Sequence, residues 1–147
     1  MRPSSTLSAS LVRVLALDYG SARCGCALSD PTGTLATPID PIARPATRKG
    51  FARVVELVRD RGAERVVVGL PLGLSGIDTD QTREARAWAD RLAAAVTVPV
   101  ELYDERFTTA IAARETSSHR PRTSEDSRAA AVLLEDWLAR HAREVTG

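Results

Sequence analysis

The sequence predicts a single mixed α/β domain, built on a five-stranded mixed sheet with helices on both faces. Two patterns support this prediction. Three short apolar runs separated by tight turns come first, and apolar runs that alternate with helical stretches follow. The chain has 147 residues, of which 44% are hydrophobic and 27% are charged, and this composition is typical of one globular domain. We expect residues 1–10 to be a flexible tail and residues 11–143 to form the domain.

The N-terminal part of the chain predicts a meander of three strands. Residues 11–17 are nearly all apolar and lead into Asp18, as expected of a central strand that is covered on both faces. In residues 23–28 every second residue is one of the larger apolar ones, which predicts a second strand that returns antiparallel to the first. A third, short strand is predicted at residues 34–38, after the turn residues 29–33.

The rest of the chain predicts helices that alternate with two more strands. Apolar residues recur at helical spacing from residue 48 to Gly62, where the first helix is expected to stop, and residues 65–69 contain a buried run of valines. Asp78 and Gln81 have the spacing of a capping box at the start of a second helix. The remaining predicted elements are a strand at 99–103, a short helix at 108–114 and a last helix at about 124–143.

Several acidic residues are candidates for a metal site. Asp18 ends the first strand, and Asp104 and Glu105 directly follow the fifth. Because these strands are predicted to run parallel, their carboxyl ends meet at one edge of the sheet, where ligands bind in open α/β folds. Asp126 shares a helical face with the apolar residue Ala130, so we expect it to point towards the sheet.

Three carboxylates brought together would repel one another unless a cation lay between them. Oxygen ligands suit Mg²⁺ or Mn²⁺, and two such ions about 4 Å apart can assist the hydrolysis of a phosphodiester bond. The acidic residues therefore predict a metal-dependent nuclease. An acid in the first turn of a helix also interacts favourably with the helix dipole, and this structural role is the alternative for Asp126.

Four blocks of the sequence resemble the YqgF/RuvX family, in the same order. They are LDYGSARCGCALSD at 17–30, VVVGLPLGLSG at 66–76, YDERFTTAIAA at 103–113 and EDSRAAAVLLEDWL at 125–138. The resemblance implies a ribonuclease-H-like fold and a nuclease that acts on pre-16S rRNA or on Holliday junctions. Matching the motifs assigns the three acids of the family to Asp18, Glu105 and Asp126, both as catalytic residues and as ligands of Mg²⁺ or Mn²⁺.

Three functions remain open at this point. The first is processing of pre-16S rRNA in ribosome biogenesis, and the second is resolution of Holliday junctions in DNA recombination or repair. Symmetric cutting of a four-way junction would require a homodimer. The third is a nucleic-acid-binding module without catalysis. The first sequence block also resembles the phosphate-binding turn of actin-like and sugar-kinase ATPases, but those enzymes close two domains around ATP, and we expect one domain here.

The charge pattern bears on the expected partners, structured RNA or branched DNA. A net charge of +1 is not the basic signature of a nucleic-acid-binding protein, so binding would need a local cluster of cations. The candidates for phosphate contact are Arg23, Arg106, Arg120, Arg122 and Arg128. For Arg23 and Arg106, a surface ion pair is the alternative role. Neither a long apolar run nor a signal-peptide pattern is present, so we expect a cytoplasmic protein without a membrane partner.

The two cysteines and the two tryptophans are expected to be core residues. Cys24 and Cys26 have a spacing that fits neither a zinc site nor a disulfide framework. Their alternative role is pairing with a second subunit in a homodimer. Trp88 and Trp137 fall on the apolar stripes of predicted helices, so we expect them to pack in the core and not to stack on bases.

Overall fold

Five strands form one mixed sheet, and the described helices pack on its two faces. The computed structural model describes residues 13–70, 79–104 and 122–146, with the backbone alone at 104, 122–126 and 142–146. The elements are β1 (Val14–Asp18), β2 (Arg23–Ser29), β3 (Ala36–Ala43), α1 (Arg48–Asp60), β4 (Arg65–Leu70), α2 (Asp80–Ala95), β5 (Val100–Asp104) and α3 (Arg122–Thr146). Of the helices described, none combines the length and the apolar character needed to cross a membrane.

The strand order in the sheet is β3-β2-β1-β4-β5. The first three strands form an antiparallel meander, and β4 and β5 run parallel to β1. This arrangement confirms the predicted five-stranded mixed sheet with helices on both faces. Because β1 and β4 lie in the middle and are covered on both sides, nearly every residue in them is apolar.

The sheet separates two hydrophobic cores. On one face, Leu15 and Leu17 of β1 pack with α1 and α2, and on the other, Val14 and Ala16 pack beneath α3. Successive side chains of a strand point to opposite faces, so one apolar strand supplies both cores. Small side chains predominate under the N-terminal half of α3, where Ala16, Ala27 and Ala130 are fully buried, and they allow the helix to approach the sheet closely.

Threonine hydroxyls begin two of the helices. Thr47 caps α1 by accepting the N–H of Gly50 at 3.1 Å, and α1 ends just before Gly62, whose φ of 64° confirms the predicted stop. For α2, the predicted capping pair of Asp78 and Gln81 is wrong by one residue. Thr79 and Thr82 instead form a reciprocal capping box, because each hydroxyl accepts the backbone N–H of the other residue.

The third strand is longer than predicted. It extends from Ala36 to Ala43 and passes through Pro38 and Pro41, whereas the sequence pattern predicts an end at Pro38. Because β3 is at the edge of the sheet and has only one neighbour, a residue without an N–H can be accommodated there. The last helix also extends beyond its predicted ends, and the predicted short helix at 108–114 lies outside the described residues.

Both cysteines and both tryptophans are buried. Cys24 and Cys26 are fully inaccessible in the core shared with α1 and α2, which confirms their predicted role. Their burial contradicts the alternative in which they bridge two subunits, because neither thiol reaches the surface. Trp88 and Trp137 lie in the two cores as predicted, 3% and 5% exposed, so neither ring is available to stack on a nucleic-acid base.

Candidate functional site

Asp18 lies at the carboxyl edge of the sheet, where the parallel strands β1, β4 and β5 all end. Its alternation with Val14 and Ala16, which pack beneath α3, places Asp18 on the face of the sheet that α3 covers. Asp18 is half-buried, whereas Leu17 before it is fully buried. The strand therefore brings a carboxylate to the border between the core and solvent.

Two glycines flank Asp18 in the sheet. Asp18 pairs with Gly25 on β2 and with Gly69 on β4. Paired residues on neighbouring strands point to the same face, and glycine has no side chain to place beside the carboxylate. Neither neighbouring strand therefore places a side chain directly beside the Asp18 carboxylate.

The same row of paired residues continues to β5, where Tyr103 pairs with Gly69. Two strand spacings put the Cα atoms of Asp18 and Tyr103 about 10 Å apart. The Tyr103 hydroxyl donates a hydrogen bond to Asp136 of α3, so Tyr103 points to the same face as Asp18. β5 ends at Asp104, the next residue.

The contact between Tyr103 and Asp136 joins the end of β5 to α3. Burial, and then the hydrogen bond to Asp136, raise the pKa of Tyr103 well above its usual value. The same carboxylate accepts a hydrogen bond from Nε of Arg140 at 3.0 Å. Because Asp136 is held by these two partners, we assign it a structural role.

The start of α3 is attached to the sheet close to Asp18. Ser127 is 1% exposed, and its hydroxyl accepts the N–H of Cys26 at 3.3 Å and donates to the carbonyl of Ile39. Cys26 directly follows Gly25, the residue that pairs with Asp18. The backbone at position 126, one residue before Ser127, is thereby brought to the edge and face of the sheet where Asp18 lies.

The three predicted acids differ in how far they are described. Asp18 is described in full, Asp126 lies near the start of α3 with its backbone alone described, and Glu105 falls outside the described residues. Within the described ranges, no group of three or more His, Cys, Asp or Glu residues could hold a metal ion. The convergence of Asp18, Glu105 and Asp126 therefore stays a prediction.

Tyr19 supports the turn that follows Asp18. Its ring packs on that of Trp88, with 4.8 Å between the ring centroids, and its hydroxyl donates a hydrogen bond to Glu84 of α2. Burial, and then the bond to Glu84, raise the pKa of Tyr19 well above its usual value. The sequence patterns do not single out Tyr19 or Glu84, because they do not show which helix the tyrosine reaches.

Exposed cations lie near this edge. Arg23, a predicted phosphate contact, is exposed at the start of β2, beyond the end of β1. Arg44, Arg48 and Lys49 are exposed at the connection from β3 to α1, where the N–H of Arg44 donates to the carbonyl of Ala22 at 2.9 Å. None of these three is among the predicted phosphate contacts, although Arg48 and Lys49 carry a recognisable signal, because cations in the first turn of a helix oppose the helix dipole.

The other predicted phosphate contacts are described in part. Arg128 is half-buried in α3, and its Nε is buried without a hydrogen-bond partner among the described residues. Arg122 is the first residue of α3, with its backbone alone described, and Arg106 and Arg120 lie outside the described residues. Their contacts with phosphate stay predictions.

Comparison with known proteins places the chain in a family. The family model RuvX, described as Holliday junction resolvase, matches residues 12–140. This chain belongs to the RuvX family. Membership makes it a nuclease, that is, a hydrolase that acts on phosphodiester bonds.

Relatives of this RuvX family member share more than a third of its residues. A protein of Anaeromyxobacter dehalogenans (strain 2CP-1) named "Putative pre-16S rRNA nuclease" is 38% identical over 136 residues, which cover 89% of this chain and 99% of that protein. A protein of the same name from Leifsonia xyli subsp. xyli is 40% identical over 129 residues, covering 84% of this chain and 83% of the relative.

Solved structures of RuvC from Thermus thermophilus have the same fold as this RuvX family member. The structure of RuvC alone has a TM-score of 0.57 at 19% identity and covers 89% of this chain and 97% of its own. RuvC in complex with a Holliday junction substrate has a TM-score of 0.56 at 18% identity, with 89% and 96% covered. The similarity confirms the ribonuclease-H-like fold predicted from the sequence.

Proposed function

We propose that this RuvX family member is a metal-dependent nuclease that processes pre-16S rRNA in ribosome biogenesis. The observation that carries the proposal is the attachment of α3 beside Asp18. The Ser127 hydroxyl bonds to Cys26, whose neighbour Gly25 pairs with Asp18, so two acidic positions from opposite ends of the chain lie at one edge of the sheet. Residues 11–143 would form one nuclease domain, and residues 1–10 would form a flexible tail. The protein would act in the cytoplasm.

Asp18, Glu105 and Asp126 are the residues that would hold Mg²⁺ or Mn²⁺. We take Glu105 as the second acid from the resemblance of residues 103–113 to the family. The described part of β5 is joined to α3, because Glu101 accepts a hydrogen bond from Trp137 and the Tyr103 hydroxyl donates one to Asp136. A bound divalent cation would stabilise the negative charge that develops on the phosphate during hydrolysis.

The substrate is inferred from the relatives and from the charge at this edge. The relatives named for pre-16S rRNA match this chain over most of both lengths. Arg23, Arg44 and Lys49 are exposed near the carboxyl edge, and guanidinium and ammonium groups there would bind backbone phosphates. The predicted contacts from Arg106, Arg120, Arg122 and Arg128 would extend this surface along α3 and the residues before it.

Resolution of Holliday junctions is the second candidate. The description of the matched family model favours it, and the fold is that of RuvC. Symmetric cutting of a four-way junction needs two sites related by a twofold axis, so this candidate also requires a homodimer. Processing of an RNA precursor makes no such demand on the oligomeric state.

The test compares cleavage by the wild type and by Asp18→Asn. The substrates are a labelled pre-16S rRNA fragment that contains the mature end, a four-way DNA junction and an unstructured RNA, each with Mg²⁺ or Mn²⁺. Asp90→Asn removes the same charge from an exposed position on α2 and is the matched control. We expect Asp18→Asn to lower kcat by more than the roughly 10–100-fold lost when groups around a metal ligand are mutated.

Each outcome distinguishes between the candidates. Selective cutting of the rRNA precursor by the wild type, lost in Asp18→Asn and retained in Asp90→Asn, supports the proposal. Symmetric cutting of the junction alone would favour the second candidate. Equal cleavage by Asp18→Asn would exclude Asp18 from the mechanism, and tight binding without cleavage of any substrate would indicate a non-catalytic binding module.

A further inference from the structure

The pairing of β2 with β3 is irregular where α3 meets the sheet. Cys24 pairs with Ile42, but Cys26 pairs with Ile39, so β3 has one residue more than β2 in this interval. The extra residue forms a β-bulge, which interrupts the regular ladder of hydrogen bonds. The Ser127 hydroxyl of α3 lies at this bulge and bridges the strands, since it accepts from the Cys26 N–H and donates to the Ile39 carbonyl.

Hydrophobic contacts hold the middle of α3 more strongly than residues 127–131. Leu133, Leu134 and Trp137 fill the core beneath the middle of the helix, whereas the buried side chains described at residues 127–131 are those of Ser127 and alanines. Alanine side chains contribute little resistance to a small shift of the helix, because they are short and do not interlock with the sheet. A hydrogen bond has a narrow range of length and angle. The bonds of the Ser127 hydroxyl are therefore the contacts suited to set the distance between this part of α3 and the sheet.

We propose that Ser127 is a positioning residue for the metal site. Its hydroxyl sets the distance between the start of α3 and the end of β1, and thereby allows Asp126 and Asp18 to bind one divalent cation together. The inference rests on the proposed function, because it assumes that Asp18 and Asp126 share a cation. Ser127 itself would contact neither the metal nor the substrate.

A second buried serine provides a matched control. Ser29 is 3% exposed, and its hydroxyl accepts the N–H of Val14 at 2.9 Å, at the other end of β1. Both serines therefore have a buried hydroxyl that accepts a backbone N–H of the sheet. They differ in position, because Ser127 lies beside the carboxyl edge that carries Asp18 and Ser29 lies at the opposite edge.

The experiment compares Ser127→Ala and Ser29→Ala in three measurements on the full chain. Thermal unfolding reports the structural cost, titration calorimetry with Mn²⁺ alone reports metal binding, and cleavage of the rRNA fragment reports kcat and KM. Both variants should lose Tm to a similar extent, on the order of 5 °C, because each leaves buried backbone groups unpaired. In Ser127→Ala alone, the Kd for Mn²⁺ should rise at least tenfold and kcat should fall roughly 10–100-fold, with KM within about twofold of the wild type.

Two results would refute the role of Ser127 and leave the proposed nuclease function unaffected. They are an unchanged Mn²⁺ affinity in a folded Ser127→Ala and an equal loss of Mn²⁺ affinity in Ser29→Ala. A wild type that binds no Mn²⁺ and cuts no substrate would refute both. If Ser127→Ala does not fold, Ser127→Cys replaces the hydroxyl by a thiol, a weak donor and acceptor, in nearly the same volume. Mn²⁺ affinity of Ser127→Cys should then be at least threefold weaker than in the wild type, and equal affinity would refute the role of Ser127.

Discussion

Replacing Tyr19 by phenylalanine isolates one hydrogen bond beside the candidate site. The substitution keeps the ring that packs on Trp88 at 4.8 Å and removes only the hydroxyl that donates to Glu84. Tyr19 is 7% exposed, so its ring should stay in place in the variant. The expected consequence is a small, measurable loss of stability in the turn that follows Asp18.

The size of this loss follows from the surroundings of Glu84. A hydrogen bond to a charged group contributes about 1.5–3 kcal/mol when the partner stays buried, and a typical bond contributes about 0.5–1.5 kcal/mol. Because Glu84 is exposed, its carboxylate can return to water in the variant. We therefore expect Tyr19→Phe to lower the free energy of unfolding by about 1 kcal/mol, which corresponds to a fall in Tm of roughly 2–4 °C for a domain of this size.

The raised pKa of Tyr19 adds a pH dependence with a definite sign. Burial and the bond to Glu84 favour the protonated hydroxyl in the folded protein. The stabilisation is fully present below the unfolded pKa of tyrosine, about 10, and is lost as the pH rises through the higher folded value. The difference in stability between the wild type and Tyr19→Phe should thus be constant from about pH 7 to 9 and shrink above about pH 10.

Urea unfolding of both proteins at pH 7 and at pH 10.5, followed by circular dichroism, measures this difference. Tyr19→Leu is the comparison, because it also removes the ring contact with Trp88 and should lose more stability than Tyr19→Phe. If Tyr19→Phe were as stable as the wild type at pH 7, the hydroxyl would contribute nothing. If the difference widened at pH 10.5, the direction of the pKa shift would be wrong.

Gly50→Ala and Arg44→Ala test the connection between β3 and α1, and Gly62→Ala and Arg59→Ala are their controls. Alanine is a better helix former than glycine, but Gly50→Ala should lower the free energy of unfolding by more than about 2 kcal/mol. The reason is steric, because a Cβ at position 50 would lie 2.0 Å from the Arg44 carbonyl oxygen and 2.7 Å from the Ala43 carbonyl oxygen. In Gly62→Ala the Cβ meets no described atom within 4 Å, so only the φ of 64° should lower the free energy of unfolding, by about 1 kcal/mol. If urea unfolding showed equal losses of stability in Gly50→Ala and Gly62→Ala, the steric argument for Gly50 would be contradicted. Arg44→Ala should weaken binding to structured RNA and reduce the slope of log affinity against log salt by about one, whereas Arg59→Ala at the far end of α1 should leave both unchanged. An unchanged slope in Arg44→Ala would remove Arg44 from the phosphate contacts.

Two of the differences between the predicted and observed elements have different causes. The sequence pattern predicts an end of the third strand at Pro38, but β3 is an edge strand, where proline can be accommodated, and it continues to Ala43. The cap of α2 is displaced from Asp78 to Thr79, since two threonine hydroxyls satisfy each other there. The place of β3 at the edge of the sheet is not specified by the local pattern, whereas the cap of α2 is a choice between two pairs of residues within the local sequence.

The sequence by itself determined the class of the sheet, the order of the described elements and the family, and it predicted the acids of the site. Periodicity in a strand or helix follows from backbone geometry, so the apolar runs around Asp18 and the stripe along α3 can be recognised from the local sequence. Only the tertiary structure decided that Gly25 and Gly69 flank Asp18, that Ser127 reaches Cys26 and that Tyr19 reaches Glu84. These contacts join residues far apart in the chain, and they depend on strand register and helix packing, which are properties of the whole fold.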